Sequence, residues 1–162
     1  MALPNLMKMK AIIYQQYGPP DVLILKEVEK PTPRVNEVLV RVHAASINSW
    51  DWDLVRGKPV IVRLWGLFKP KYTTPGADIA GRVEAVGSSV KKFKPGDEVF
   101  GDLCECGFGG LAEYICAKES ALAVKSASMT FEQAAAIPQA GLMALQSLRD
   151  KAQLKARQSV LI

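Results

Sequence analysis

The sequence predicts a mainly β domain with short helices that hands over to an α/β domain. Three observations carry this. Short β-like runs bounded by Gly and Pro crowd the chain up to about residue 128. Helical patterns begin only after it. A last apolar run, Ser159-Val160-Leu161-Ile162, then reads as the opening of a buried strand. Strands, then helices, then a further strand is the order of two layered units in succession. The boundary divides the chain into 1–128 and 129–162.

"MKAIIY" (9–14) is the first strand-like run, closed by the turn cluster "QQYGPP". "VLILKEVEK" (22–30) follows and stops at "PTP". "NEVLVRVHAAS" (36–46) is the clearest strand: Val38, Val40, Val42 and Ala44 share one face, Arg41 and His43 the other. In "SWDWDLVRG", Ser49 is the expected N-cap of a short helix and Gly57 its end. A Pro- and Lys-rich loop with Trp65 and Phe68 spans 58–75. "DIAGRVEAVG" (78–87), "GDEVFG" (96–101) and "LAEYICA" (111–117) are further short strands. Thr130 and Gln133 form a capping box before the helical "MTFEQAAAIP". Pro138 interrupts, and "QAGLMALQSLRDK" resumes as helix.

The chain has 162 residues, 49% hydrophobic and 23% charged, the composition of a globular protein large enough to bury its own core. Net charge is +5, and the one basic cluster, "KKFK" before Pro95-Gly96, reads as a solvated turn rather than a nucleic-acid patch. No run approaches the ~18 apolar residues of a membrane span. The start, "MALPNLMKMK", lacks the apolar region of a secretory signal. Three cysteines do not suggest a disulfide framework, and a reducing cytoplasm is the expected location. Neither a membrane nor a nucleic acid is expected as a partner.

In order along the chain, "MKAIIYQQYGPPDVLILKEVEKPTP", "EVLVRVHAASIN", "PGADIAGRVEAVGSSVKKFKPGDEVFG", "LAEYICA" and "FEQAAAIPQAGLMALQSL" resemble the medium-chain dehydrogenase/reductase superfamily. Within it they are most similar to the quinone-oxidoreductase branch that includes zeta-crystallin, over roughly residues 9–162. The resemblance implies a partly open GroES-like β-barrel as catalytic domain, then bridging helices and the first strand of a Rossmann domain, "QSVLI". The glycine turn that cradles cofactor phosphates would follow that strand. The chain by itself is therefore expected to be inactive. "GFGG" (107–110) does not take the role of that turn, because a strand-like run rather than a helix follows it.

The resemblance also implies a chemistry. Zinc alcohol dehydrogenases of the superfamily place ligands where this chain has Asn48, Ala77 and Gln139, and a proton-relay hydroxyl where it has Trp50. An amide binds zinc poorly and a methyl group not at all, so no metal is expected. The implied reaction is hydride transfer from NADPH, or NADH, to a quinone or conjugated carbonyl. Asn48 and Asp51 are the implied catalytic residues; Trp50, Trp65 and Phe68 border the substrate; Asn48, Gln139 and Met143 meet the cofactor. Relatives often carry Thr at the position of Met143, and its hydrogen bond is lost here. A homodimer of the full-length enzyme is a further expectation. The residues alone leave alternatives open. Asp51 caps its helix or pairs with Arg56, or it faces the cleft. Trp65 and Phe68 pack the loop, line a substrate entrance or stack on bases. Cys104 and Cys106 are plain thiols or a weak metal or redox signal, and Cys116 belongs to the core. His43 is structural or a general base. Two other functions compete: an alcohol or aldehyde dehydrogenase of the same superfamily, and a non-catalytic GroES-like interaction module.

Overall fold

The computed structural model describes residues 7–161, apart from the side chain of Trp65. Two antiparallel sheets form its frame. Strands β1 (Lys8–Ile13) and β2 (Ile24–Glu29) pair as a two-stranded ribbon. The larger sheet contains β3 (Glu37–Ser46), β4 (Asp78–Val86), β5 (Glu98–Asp102), β6 (Tyr114–Lys118) and β7 (Leu122–Val124) in the order β6-β3-β4-β5-β7. The ribbon joins the chain before β6: Ile12 donates its N–H to the Leu111 carbonyl at 2.9 Å, and Ala11 bridges Ala112. The two sheets stay open and do not close into a complete barrel.

Alternation explains the main core. Val38 and Val40 of β3, Ile79 and Val83 of β4, and Val99 of β5 are buried together with Phe93, Leu103, Ala117 and Leu122. Arg41 and His43 are exposed, as the period of two requires. His43 stacks on Phe131, with ring centroids 4.3 Å apart, so the one histidine serves packing between β3 and the following helix. Close approach fixes Gly81 on β4: a Cβ there would lie 2.2 Å from the Arg41 carbonyl oxygen.

Three helices complete the frame. Helix α1 (Ser49–Arg56) is capped by Asn48 rather than by Ser49, because Asn48 holds the extended backbone of an N-cap and Asp51 returns a bond to its N–H. Gly57 closes α1 in the left-handed conformation, φ 62°. Helix α2 (Phe131–Ala135) starts with the expected box: Gln133 N–H donates to Thr130 Oγ1 at 3.2 Å and Thr130 N–H to Gln133 Oε1 at 3.0 Å. Its Ala134 and Ala135 bury against Ala80 of β4. Pro138 opens helix α3 (Pro138–Leu145), where the missing N–H costs nothing. A π-helical stretch, Gln146–Lys151, continues it.

Two expectations are corrected. The strand expected at the C-terminal end does not form among the described residues: 159–161 have no regular structure, and Leu161 is 99% exposed. An apolar run becomes a buried strand only when neighbours cover its faces. Cys116 is half-buried on β6, not in the core.

Candidate functional site

The site is built where β3 ends, β4 begins and α3 starts. Beyond Ser46 the chain turns through Asn48 into α1, and Asp51 reaches back from its first turn. Asp51 Oδ2 accepts the Asn48 N–H at 2.8 Å, and Oδ1 accepts the Gly76 N–H at 2.8 Å. Burial pushes the Asp51 carboxyl above its usual range, while N–H bonds from Asn48, Gly76 and Ala77 pull it back down. Asp51 is 3% exposed and both its oxygens are engaged. It therefore does not reach the cleft as a catalytic acid; it ties α1 to the turn before β4. Arg56 pairs with Asp53 instead, at 2.8 Å.

Asp78, the first residue of β4, is fully buried and gathers the site. Its Oδ2 accepts the Gln139 backbone N–H at 2.9 Å, the Asn48 Nδ2 at 3.1 Å and, more weakly, the Ser46 hydroxyl at 3.5 Å. Its Oδ1 is buried without a partner among the described residues. Burial raises this carboxyl too, against the Gln139 and Asn48 bonds that favour ionisation. One residue thus holds together the end of β3, the entry to α1 and the first turn of α3.

Cys104 adjoins the cluster. The Gln139 Nε2 lies 3.7 Å from its sulfur, and its N–H donates to Asp102 Oδ1 at 2.8 Å. Burial and the neighbouring Asp102 push the Cys104 thiol far above its usual range. It is a protonated thiol, not a ready nucleophile. Burial also raises Cys106 and Cys116. Among the described residues no group of three or more His, Cys, Asp or Glu stands together to hold a metal ion.

Two open cavities meet at Cys104. One, of ≈ 770 Å³, lies between β5 and α3 and is lined by Phe100, Leu122, Ile137, Pro138, Leu142 and Leu145. The other, of ≈ 540 Å³, is lined by Trp50, Tyr72, Phe108, Glu105 and Lys118. Phe108 reaches it because "GFGG" is a turn, with positive φ at Gly107, Phe108 and Gly109. A mostly apolar space with a few convergent polar groups suits a small organic substrate.

The structure brings Asn48 and Gln139 together on Asp78 and places Trp50 on a cavity wall. Met143 is 65% exposed, next to the cavity-lining Leu142. Phe68 departs from expectation: it is 87% exposed and lines neither of these cavities, because its loop turns it toward solvent. The Trp65 side chain lies outside the described residues. Sequence reasoning missed Asp78 and Tyr72. The available signal was a lone carboxylate opening the otherwise apolar "DIAG" run of β4.

Comparison with known proteins agrees with this architecture. Residues 34–127 match the family model described as the alcohol dehydrogenase GroES-like domain. The chain is 39% identical over 150 residues to the chloroplast envelope quinone oxidoreductase homolog of Arabidopsis thaliana, covering 91% of this chain and 44% of that protein. It is 39% identical over 138 residues to the Arabidopsis thaliana chloroplastic NADPH-dependent alkenal/one oxidoreductase, covering 81% of this chain and 34% of that one. The solved quinone oxidoreductase from Coxiella burnetii superposes with a TM-score of 0.84 at 35% identity, over 93% of this chain and 47% of its own. The chain spans less than half the length of these relatives.

Proposed function

This chain belongs to the alcohol dehydrogenase GroES-like domain family, and we propose that it forms the substrate-facing part of a zinc-independent, nicotinamide-dependent reductase of quinones or conjugated carbonyls. The observation that carries the reading is the cluster of Asn48 and Gln139 on Asp78, joined through the Gln139 Nε2 to Cys104, which lines the apolar cavity. Relatives named as quinone and NADPH-dependent alkenal/one oxidoreductases support the substrate class.

Bound NADPH would supply the hydride; cofactor chemistry carries such reactions and the protein orients the reactants. The residues present fit such a group in one respect. Gln139 donates through Nε2 and its backbone N–H, and its Oε1 has no partner among the described residues, so an acceptor remains at the head of α3. Asn48 and Gln139 would orient the carbonyl and the cofactor. Asp51 and Asp78 act through them as positioning residues. The apolar walls contributed by Phe100, Leu122 and Leu142 would keep water from the reacting carbon. Asn48, Ala77 and Gln139 offer two amides and a methyl group where the resembling dehydrogenases bind zinc, and the neighbouring Cys104 keeps its proton. Residence in a reducing cytoplasm and pairing into a homodimer belong to the same proposal.

The test uses a full-length protein carrying this domain. Purified without chelator, it should contain far less than one zinc per chain and should reduce enones and quinones with NADPH. Replacing Asn48 by Ala should lower kcat/KM by the value of one hydrogen bond, about 0.5–1.5 kcal/mol, with folding intact. Zinc at one per chain together with alcohol oxidation would overturn the proposal.

A further inference from the structure

We propose that the loop over residues 58–71, "KPVIVRLWGLFKPK", is a surface contact for an anionic lipid bilayer. Five of its large apolar side chains point outward. Val60 is 74% exposed, Ile61 66%, Leu64 80%, Leu67 61% and Phe68 87%. Five large hydrophobic side chains bare within nine residues exceed the scattered exposure normal for a protein surface.

The exposure is built in, because the backbone beneath is fixed. Residues Val60–Trp65 form a 3-10 helix, in which residues three apart stack on one face, here Ile61 and Leu64. Val62 is buried with Leu54, Ala77 and Phe108, which pins the loop to the molecule. The Tyr17 hydroxyl donates to the Gly66 carbonyl at 2.6 Å. Arg63 Nε donates to the Gly57 carbonyl at 3.0 Å, and its guanidinium lies over the Tyr17 ring. A loop clamped from below presents its apolar tips at fixed positions.

Charge selects the occupant. Arg56 is paired with Asp53 and Arg63 is held beneath the loop, but the exposed Lys58, Lys69 and Lys71 flank the apolar tips, and no Asp or Glu lies between Asp53 and Asp78 in the sequence. A second copy docking loop to loop would set like charges against each other. Anionic headgroups would instead meet the cations, while the apolar tips enter the headgroup and acyl boundary. The expectation that no membrane is engaged rests on the lack of a spanning run, and a surface contact needs none.

Flotation of the chain with vesicles tests this. The probes are phosphatidylcholine alone and phosphatidylcholine with about 30% phosphatidylglycerol, a bilayer of strongly negative surface potential. Binding is expected to the anionic vesicles and to weaken as salt rises. A Leu64→Ser, Phe68→Ser double variant should partition about tenfold less or worse, with an unchanged far-ultraviolet spectrum, since both side chains are exposed. A Lys58→Glu, Lys69→Glu variant should lose the preference for anionic vesicles. Equal binding by the serine variant, or no binding at low salt, would overturn the inference. So would a dimer that the serine variant abolishes, which would assign the loop to self-association. Retention on polyglutamate without vesicle binding would overturn it in favour of an acidic protein. None of these measurements needs cofactor or turnover, so failure here leaves the reductase proposal standing.

Discussion

Asp78 takes its hydrogen bonds on one oxygen and leaves the other without a partner among the described residues. That asymmetry suits a protonated acid, and it makes a pH prediction. Burial lifts the carboxyl above its ordinary 3.8, so the folded protein holds this proton more tightly than the unfolded chain does. The resulting stabilisation is complete below about pH 4 and is lost as pH climbs through the raised folded value. Asn at this position stays neutral throughout. The stability advantage of the parent over Asp78→Asn should therefore shrink as pH rises above about 4 in urea unfolding. A gap that stays constant would show that Asp78 does not titrate in that range. Asp51 makes a second prediction. Asp51→Ala strips the acceptor from the backbone N–H groups of Asn48, Gly76 and Ala77, the last two buried in the turn before β4. It should cost about 3 kcal/mol in denaturant titration, more than an ordinary cap replacement. Asn48 and Asp51 were legible in the sequence as a pair through the resemblance, but their division of labour was not. Burial decides it, and the burial of Asp51 comes from residues 25 positions away. Asp78 was less legible still, since its partner at the head of α3 lies 61 positions on.

Local chemistry made most elements readable. Gly and Pro mark the strand ends, and Thr130 with Gln133 announces α2. Strand β7 escaped notice because three residues show no alternation. The last apolar run misled for the opposite reason: its pattern is right, but a strand also requires partners, which the pattern cannot supply. The N-cap of α1 was misplaced by one residue, since Asn48 and Ser49 are both good caps and only the returning bond from Asp51 separates them. The C-terminal end of α1 offers a direct test. A Cβ at Gly57 would need φ near 62° and would lie 2.7 Å from the Tyr17 ring. Gly57→Ala should destabilise the chain by about 1–3 kcal/mol, combining left-handed strain with the displacement of Tyr17. A change below a few tenths would mean that Tyr17 moves aside freely, and the clamp on the 58–71 loop would be looser than described.

At the scale of the chain, no glycine turn among the described residues stands between a strand and a helix, the arrangement that receives a dinucleotide's phosphates. Titration calorimetry of this chain with NADPH should accordingly find no dissociation constant in the low micromolar range. Tight binding would place the main anchoring energy in the GroES-like part. The strand order β6-β3-β4-β5-β7 carries a different consequence, one of timing. Chains emerge from the ribosome at about 5–20 residues per second. Strand β3 gains β4 on one side soon after it is made, but β6, its other neighbour, is complete only about 70 residues later. For roughly 4–14 seconds of synthesis the β3 edge has hydrogen-bonding groups and no native strand to meet them. Nascent chains arrested before residue 114 should therefore be the species that chaperones engage and that aggregate, while those extended past Lys118 should be released.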